Sequence, residues 1–189
     1  MRTGDDKSPS NWPEELKYLR RPELSKLIDH STRLTLASQG IVSNSAASST
    51  RIRRIESATH PASGQYGLFA MKDLNAGQHI VDYLGRIHLP DTSDSDPDSD
   101  YDLSFRHGNL HLGIDAAKMG NESRMINDYR GIEGAPNAKF DSYVTHQGEI
   151  RMGVFVLGSE KKGGRGIKKG QEILISYGKG FWSNRTLNG

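Results

Sequence analysis

Tyr177 stands at the end of a phrase that the chain writes twice. Leu74-Asn75-Ala76-Gly77-Gln78-His79-Ile80 runs on to Gly85, and Ile167-Lys168-Lys169-Gly170-Gln171-Glu172-Ile173 runs on to Gly178. Gly77, Gln78, Ile80 and Gly85 therefore fall on Gly170, Gln171, Ile173 and Gly178 at a constant offset of 93 residues (170 minus 77). A phenol offers a hydroxyl oxygen and an aromatic face, both of which stabilise cations, and we take Tyr177 as the candidate working residue. The elements that must position it come from the same repeat. A glycine at the tight turn supplies a backbone conformation that a β-carbon resists, and the apolar residues after it, Ile80-Val81 and Ile173-Leu174-Ile175, read as short strands. Two such units folded together predict an irregular, mainly β core.

A chain of 189 residues is long enough for one domain with its own core and an extension. Its 34% hydrophobic content, 25% charge and 21 glycines make a loop-rich composition, with no apolar run long enough to cross a bilayer. The first residues, Met1 to Lys7, are polar and lack the apolar stretch of a secretory signal, so an intracellular rather than a secreted protein is expected. The absence of cysteine excludes a disulfide, a thiolate zinc cluster and a cysteine nucleophile. The seven histidines lack ligand spacing, and no metal is expected.

Net charge is only +2, but it is unevenly placed. Arg20-Arg21, Arg51 to Arg54 and Lys161 through Lys169 are basic, whereas the twelve residues from Asp91 to Asp102 hold six aspartates. Such runs serve as solvated faces, or, beside a groove, steer a lysine-rich peptide by a field that salt screens. The Gly163-Gly164-Arg165-Gly166 loop lacks the strand and helix that a phosphate-binding loop requires, and no nucleic-acid site is read from it.

Along the chain, Trp12 to Leu19 and a segment from Pro22 with Leu24, Leu27 and Ile28 are predicted as two short helices. Residues 38–50 read as a linker. Short β-like segments follow at 51–57, 67–71, 79–85, 103–105, 110–115, 139–144, 150–157 and 173–177, with a two-turn helix expected within 116–126. The Asp/Ser run at 91–100 and the Gly/Lys run at 158–166 read as mobile insertions.

Four phrases agree in order and spacing with the SET domain of protein lysine methyltransferases. They are Gly64-Gln65-Tyr66-Gly67-Leu68-Phe69-Ala70 followed by Val81-Asp82-Tyr83-Leu84-Gly85; Tyr101-Asp102-Leu103-Ser104-Phe105; Ile114-Asp115-Ala116 through Gly120-Asn121 to Arg124-Met125-Ile126-Asn127 and Pro136-Asn137; and Gly170-Gln171-Glu172-Ile173 through Tyr177-Gly178, closed by Phe181-Trp182. The resemblance covers residues 51–182. It implies a mainly β fold with short helices, the SET or β-clip fold with knot-like threading of the C-terminal segment, preceded by a small helical extension. The corresponding division is 1–50 for extension and linker, 51–182 for the catalytic domain and 183–189 for a tail.

The resemblance also implies S-adenosylmethionine as methyl donor, no metal, and a lysine-containing protein or peptide as acceptor, a histone or another basic tail. A lysine with a reference pKa of about 10.4 carries no lone pair at neutral pH, so the site must favour the neutral amine, as a narrow dry channel does by desolvation. By resemblance Tyr177 lies near the transferring methyl and Tyr83 and Tyr101 line the lysine channel. Tyr66, Gly67, Arg124, Met125, Asn127, Asp128, Tyr177 and Trp182 take the donor-binding positions. Phe181 and Trp182 either cover the adenine or belong to the core, and Asn137 reads as a loop fastener.

Departures from the family pattern are specific. Asp128 follows Asn127 where the family usually writes histidine, and its charge changes the polarity of the pocket. Ile175, two before Tyr177, stands where relatives carry Phe or Tyr that influences how many methyls are added. No cysteines flank the core, so the zinc-binding flanks of many relatives are absent, and the N-terminal helices, the Phe181-Trp182 tail or a partner chain must close the pocket. The family implies nuclear residence, with the cytoplasm as alternative. A SET-like reader or scaffold without catalysis, or a β-clip binding module sharing only the turn repeat, are the competing readings.

Overall fold

The computed structural model describes residues 8–36, 49–158 and 165–178. In chain order the N-terminal part forms β1 (Lys17–Tyr18), β2 (Glu23–Leu24) and α1 (His30–Leu36). The central part forms β3 (Thr50–Arg54), β4 (Tyr66–Ala70), β5 (His79–Asp82), β6 (Arg86–His88), β7 (Asp102–His107) and β8 (Leu110–Asp115). Then come β9 (Met119–Gly120), a 3₁₀ turn (Glu122–Met125), β10 (Asn127–Asp128), β11 (Ala138–Val144), β12 (Ile150–Val156) and β13 (Leu174–Ile175). The architecture is mainly β, as the turn-strand repeat predicts.

Small sheets, rather than one large one, arise because each strand is short and bounded by glycine or polar turns. The largest has the order β2-β6-β8-β7, a second is β11-β12-β5, and three pairs, β3-β4, β1-β9 and β10-β13, complete the set among the described residues. In β3 the alternation sends Thr50 and Ile52 inward and Arg51 and Arg53 outward, the period of a half-buried strand. One core cluster gathers Ile52, Leu68, Ile80, Val154 and Ile173; another gathers Phe105, Ile87, Ile114 and Met152, and Phe140 packs against both.

The repeated phrase is a repeated structure. Gln78 accepts the Asn75 N–H through its side chain at 3.0 Å and Gln171 accepts the Lys168 N–H at 2.7 Å, while Gly77 and Gly170 both take positive φ, 76° and 88°, where a side chain would be strained. The two copies meet. Leu74 and Ile167, equivalent positions, exchange backbone hydrogen bonds of 2.8 and 2.9 Å.

The N-terminal region departs from the expected pair of helices. Trp12 to Leu19 is turn followed by β1, and the helix of this region, α1, starts only at His30. A two-turn helix is marginal by itself, whereas β1 and β2 find parallel partners in β9 and β6 and Trp12 and Leu19 are buried. Pairing with β1 also limits the helix expected within 116–126 to the 3₁₀ turn, since Met119 and Gly120 are taken up in β9. The Asp/Ser run is tied down rather than loose: Asp94 pairs with Arg86 at 3.0 Å and accepts from Ser25, and Ser99 donates to Asp115 at 2.6 Å. Among the described residues no helix is long and apolar enough to cross a membrane. Phe181, Trp182, the expected C-terminal threading beyond 178, and most of the 38–50 linker and the Gly/Lys insertion lie outside the described residues.

Candidate active site

A cleft of about 1140 Å³ opens where the end of β5, the start of β7, the 3₁₀–β10 segment and the end of β13 come together. The three tyrosines singled out from the sequence all line it. Tyr177 is 38% exposed and donates its hydroxyl proton to the Ile126 carbonyl at 2.8 Å. Tyr83, 7% exposed, donates to the Tyr101 carbonyl at 2.8 Å and stacks edge-on against Phe140 with centroids 5.1 Å apart. Burial, reinforced by the nearby Tyr177 phenol and the Asp115 carboxylate, pushes Tyr83 far above the ordinary phenol range, so it stays neutral. With both protons committed to carbonyls, each phenol oxygen keeps lone pairs for other partners.

Tyr101 is 36% exposed and carries the Arg124 guanidinium 3.8 Å above its ring centroid, a cation-π distance. Arg124 also donates to the Ala116 carbonyl at 2.7 Å. Its charge thus braces the Tyr101 wall. Met125 is buried in the core and lines the floor of the cleft.

The opposite side is organised by Glu172, whose role the sequence did not signal. Asn127 Nδ2 donates to the Tyr66 carbonyl at 3.1 Å and to Glu172 Oε1 at 2.8 Å. His60 Nε2 lies 3.1 Å from the other Glu172 oxygen. Gly67 stands behind this arrangement: a β-carbon there would come within 2.5 Å of Glu172 Oε1, so the close approach that this glycine permits is that of the carboxylate. Asp128 is buried and turned inward; it accepts the Tyr177 N–H at 2.7 Å and takes Arg130 Nη1 on both oxygens at 3.2 and 2.9 Å. Asn137 fastens β13, accepting the Leu174 N–H and donating to the Glu172 carbonyl, each at 2.8 Å.

Tyr66, Asn127 and Asp128 therefore share one cleft with Tyr83, Tyr101 and Tyr177, and Trp182 lies outside the described residues. His60 and Trp12 also line the cleft without having been anticipated. His60 lies 112 residues from Glu172 in the chain, so nothing in the sequence pairs the two. In the sequence Glu172 stands within the fourth family phrase, at the repeat position where the first copy has His79, and neither assigns it a partner.

Known proteins resemble the chain in sequence. The family model described as "SET domain" matches residues 65–178, more than half of the chain. The histone-lysine N-methyltransferase ASHH3 of Arabidopsis thaliana is 29% identical over 119 residues, covering 59% of this chain and 29% of its own length. ASHH2, a histone-lysine N-methyltransferase of the same plant, is 29% identical over 118 residues, covering 59% of this chain and 6% of its own length. Thus the match takes in well under half of either relative. Among solved structures, a chain of the Chaetomium thermophilum polycomb repressive complex 2 matches 71% of this chain and 16% of its own at 25% identity and a TM-score of 0.49. With the tyrosine-lined cleft, the turn repeat and the matched residues in agreement, the chain belongs to the SET-domain family.

Proposed function

We propose that this chain transfers a methyl group from S-adenosylmethionine to the side-chain amine of a protein lysine, with a histone or similar basic tail as substrate and chromatin in the nucleus as its place of work. The observation that carries the reading is the convergence of Tyr177, Tyr83 and Tyr101 on one cleft, two of them with their protons bound to backbone carbonyls.

The residues present fit such a donor. A cleft of about 1140 Å³ has room for a nucleoside-sized ligand together with an extended side chain, and a lining of acceptor oxygens and aromatic faces suits a cation. When bound, the donor supplies a methyl on a positively charged sulfur. The chain's own residues do the rest. Tyr83 and Phe140, packed edge-on, give the cleft an aromatic wall, which would disfavour an ammonium by desolvation and favour the neutral amine. Tyr177 offers its hydroxyl oxygen, oriented by Ile126, to the positive charge around the transferring carbon. With the donor bound, Tyr83, Tyr101 and Tyr177 would hold the lysine amine, its proton already given up to solvent, aimed at that methyl. Positioning of this kind supplies most of the rate. Asp100 and Asp102 at the cleft edge draw a basic peptide in by their field.

Incubation with labelled S-adenosylmethionine and mixed histones tests the proposal. Label on a histone lysine supports it; donor binding measured by calorimetry without transfer to any histone or extract protein leaves the non-catalytic reader in its place.

A further inference from the structure

His88, the last residue of β6, does not line the cleft; it is buried, its side chain 2% exposed. Its ring meets an acceptor at each end. Nδ1 lies 3.0 Å from the Leu89 carbonyl and Nε2 lies 3.0 Å from Asp102 Oδ1. A carbonyl and a carboxylate only accept, so both nitrogens donate, and the ring carries the positive charge that goes with two protons. Gly113, opposite His88 on β8, makes room for the contact: a β-carbon there would come within 2.4 Å of the ring and 2.8 Å of Asp102 Oδ1.

Asp102 needs such a partner. It opens β7 directly opposite Asp115 of β8, and like charges facing each other across an antiparallel pair push the strands apart. Asp115 Oδ1 takes the Ser99 hydroxyl at 2.6 Å and the Ala117 N–H at 2.9 Å, while Arg86, opposite Asp115 on β6, is engaged with Asp94 at 3.0 Å. Among the described residues, the ion pair of Asp102 is the one with His88.

This strand end carries the channel residues. Tyr101, one residue before Asp102, takes the Tyr83 hydroxyl on its carbonyl at 2.8 Å and the Ala116 N–H on the same carbonyl at 3.1 Å. A β7 end lifted from β8 would take both bonds with it. We propose that His88 is a positioning residue for the lysine channel: it holds Asp102 against the repulsion of Asp115 and so keeps the Tyr101 carbonyl under the Tyr83 hydroxyl. The proposal rests on the reading of Tyr83 and Tyr101 as walls of that channel.

Two substitutions separate a held carboxylate from a filled space. In His88→Gln the side-chain amide reaches the place of Nε2 and donates to Asp102. In His88→Asn the shorter amide reaches the place of Nδ1, keeps the Leu89 carbonyl and leaves Asp102 without its partner. A third, Asp115→Asn, removes the opposing charge and keeps an oxygen for Ser99 and Ala117.

The experiment measures transfer from labelled S-adenosylmethionine to core histones at saturating donor, with donor affinity read by calorimetry. His88→Asn should lower kcat/KM for the histone about tenfold or more, the scale of one hydrogen bond to a charged group, with donor affinity unchanged. His88→Gln should keep most of the wild-type value, and Asp115→Asn added to His88→Asn should return most of it. Equal losses in the two His88 variants, a matching loss of donor affinity, or no recovery in the double variant overturns the proposal. Should His88→Asn fail to fold, the double variant decides alone: folding with restored transfer supports the latch, and anything less overturns it. Should the wild type transfer to no histone, the acceptor reading fails and the ligand-free protein decides by NMR. A Tyr83 hydroxyl proton that exchanges slowly in the wild type and in His88→Gln but fast in His88→Asn supports the latch, and one rate in all three overturns it.

Discussion

The carboxylate of Asp128 accepts the backbone N–H of Tyr177 at 2.7 Å, so the residue after Asn127 holds the candidate catalytic tyrosine by its main chain. Its charge is answered by Arg130, which binds both oxygens, so the cleft wall carries an ion pair there rather than a lone carboxylate. The histidine usual at this position in the family is replaced here by an anchored ion pair. Asp128→Ala removes the acceptor for the Tyr177 N–H and takes both carboxylate oxygens away from Arg130. We expect a loss of about 1–3 kcal/mol in urea unfolding and a fall in transfer rate larger than the fall in donor affinity. Equal effects on both would argue that Asp128 serves stability alone.

Gly67→Ala places a β-carbon against Glu172 Oε1, with only 2.5 Å between them. Forcing a carboxylate from its site costs roughly 1–3 kcal/mol, as overpacking does, and should be measurable as a lower melting temperature. In a Glu172→Ala background the same change should cost far less, because the clash partner is gone. A double-mutant cycle with a coupling near zero would contradict this pairing.

Asp82, next to Tyr83, gives a pH prediction. Burial raises its pKa, but hydrogen bonds from His79 and Tyr143 and the Arg151 guanidinium at 3.0 Å more than offset this, holding the carboxyl below its ordinary 3.8. A depressed folded pKa means stability that is complete above the unfolded value and lost as pH falls through the folded one. Wild type should therefore exceed Asp82→Asn in urea stability at neutral pH, and the gap should narrow as the medium is acidified below about 4, near the reference carboxylate value. A gap independent of pH would exclude the ionic contribution.

Tyr177→Phe deletes the hydroxyl and keeps the ring. Losing the bond to Ile126 should cost about 1 kcal/mol or less of stability, whereas transfer should drop roughly 100-fold or more, the scale seen when one oriented polar group is removed from a transition state. Donor affinity by calorimetry should change little. Retention of most of the wild-type rate by Tyr177→Phe would move the chemistry elsewhere in the cleft.

The strands were legible because alternation is local: β8 and β11 lie almost where the apolar periodicity predicts them, and the Gly-Gln turns announced their own repetition. The tyrosines and Asn127 were legible through the family phrases in which they sit. What escaped was set by tertiary contact. Trp12 to Leu19 carries helix-compatible spacing, yet β9 offers β1 a partner that no reading of 17–18 alone could reveal. Glu172 reads as a polar residue after a turn until Asn127 and His60, 45 and 112 positions away, are brought to its two oxygens. Gly67 shows the same effect in reverse, since its absent side chain makes room for a residue from the other end of the chain.

A crystal structure with the demethylated donor product and a lysine peptide tests the central claim most directly. The account predicts the product sulfur and the lysine nitrogen on opposite sides of the Tyr177 hydroxyl, close enough for one methyl to bridge them, with the peptide passing Tyr101. Density for the product away from Asn127, or a lysine that never enters between Tyr83 and Tyr177, would contradict it.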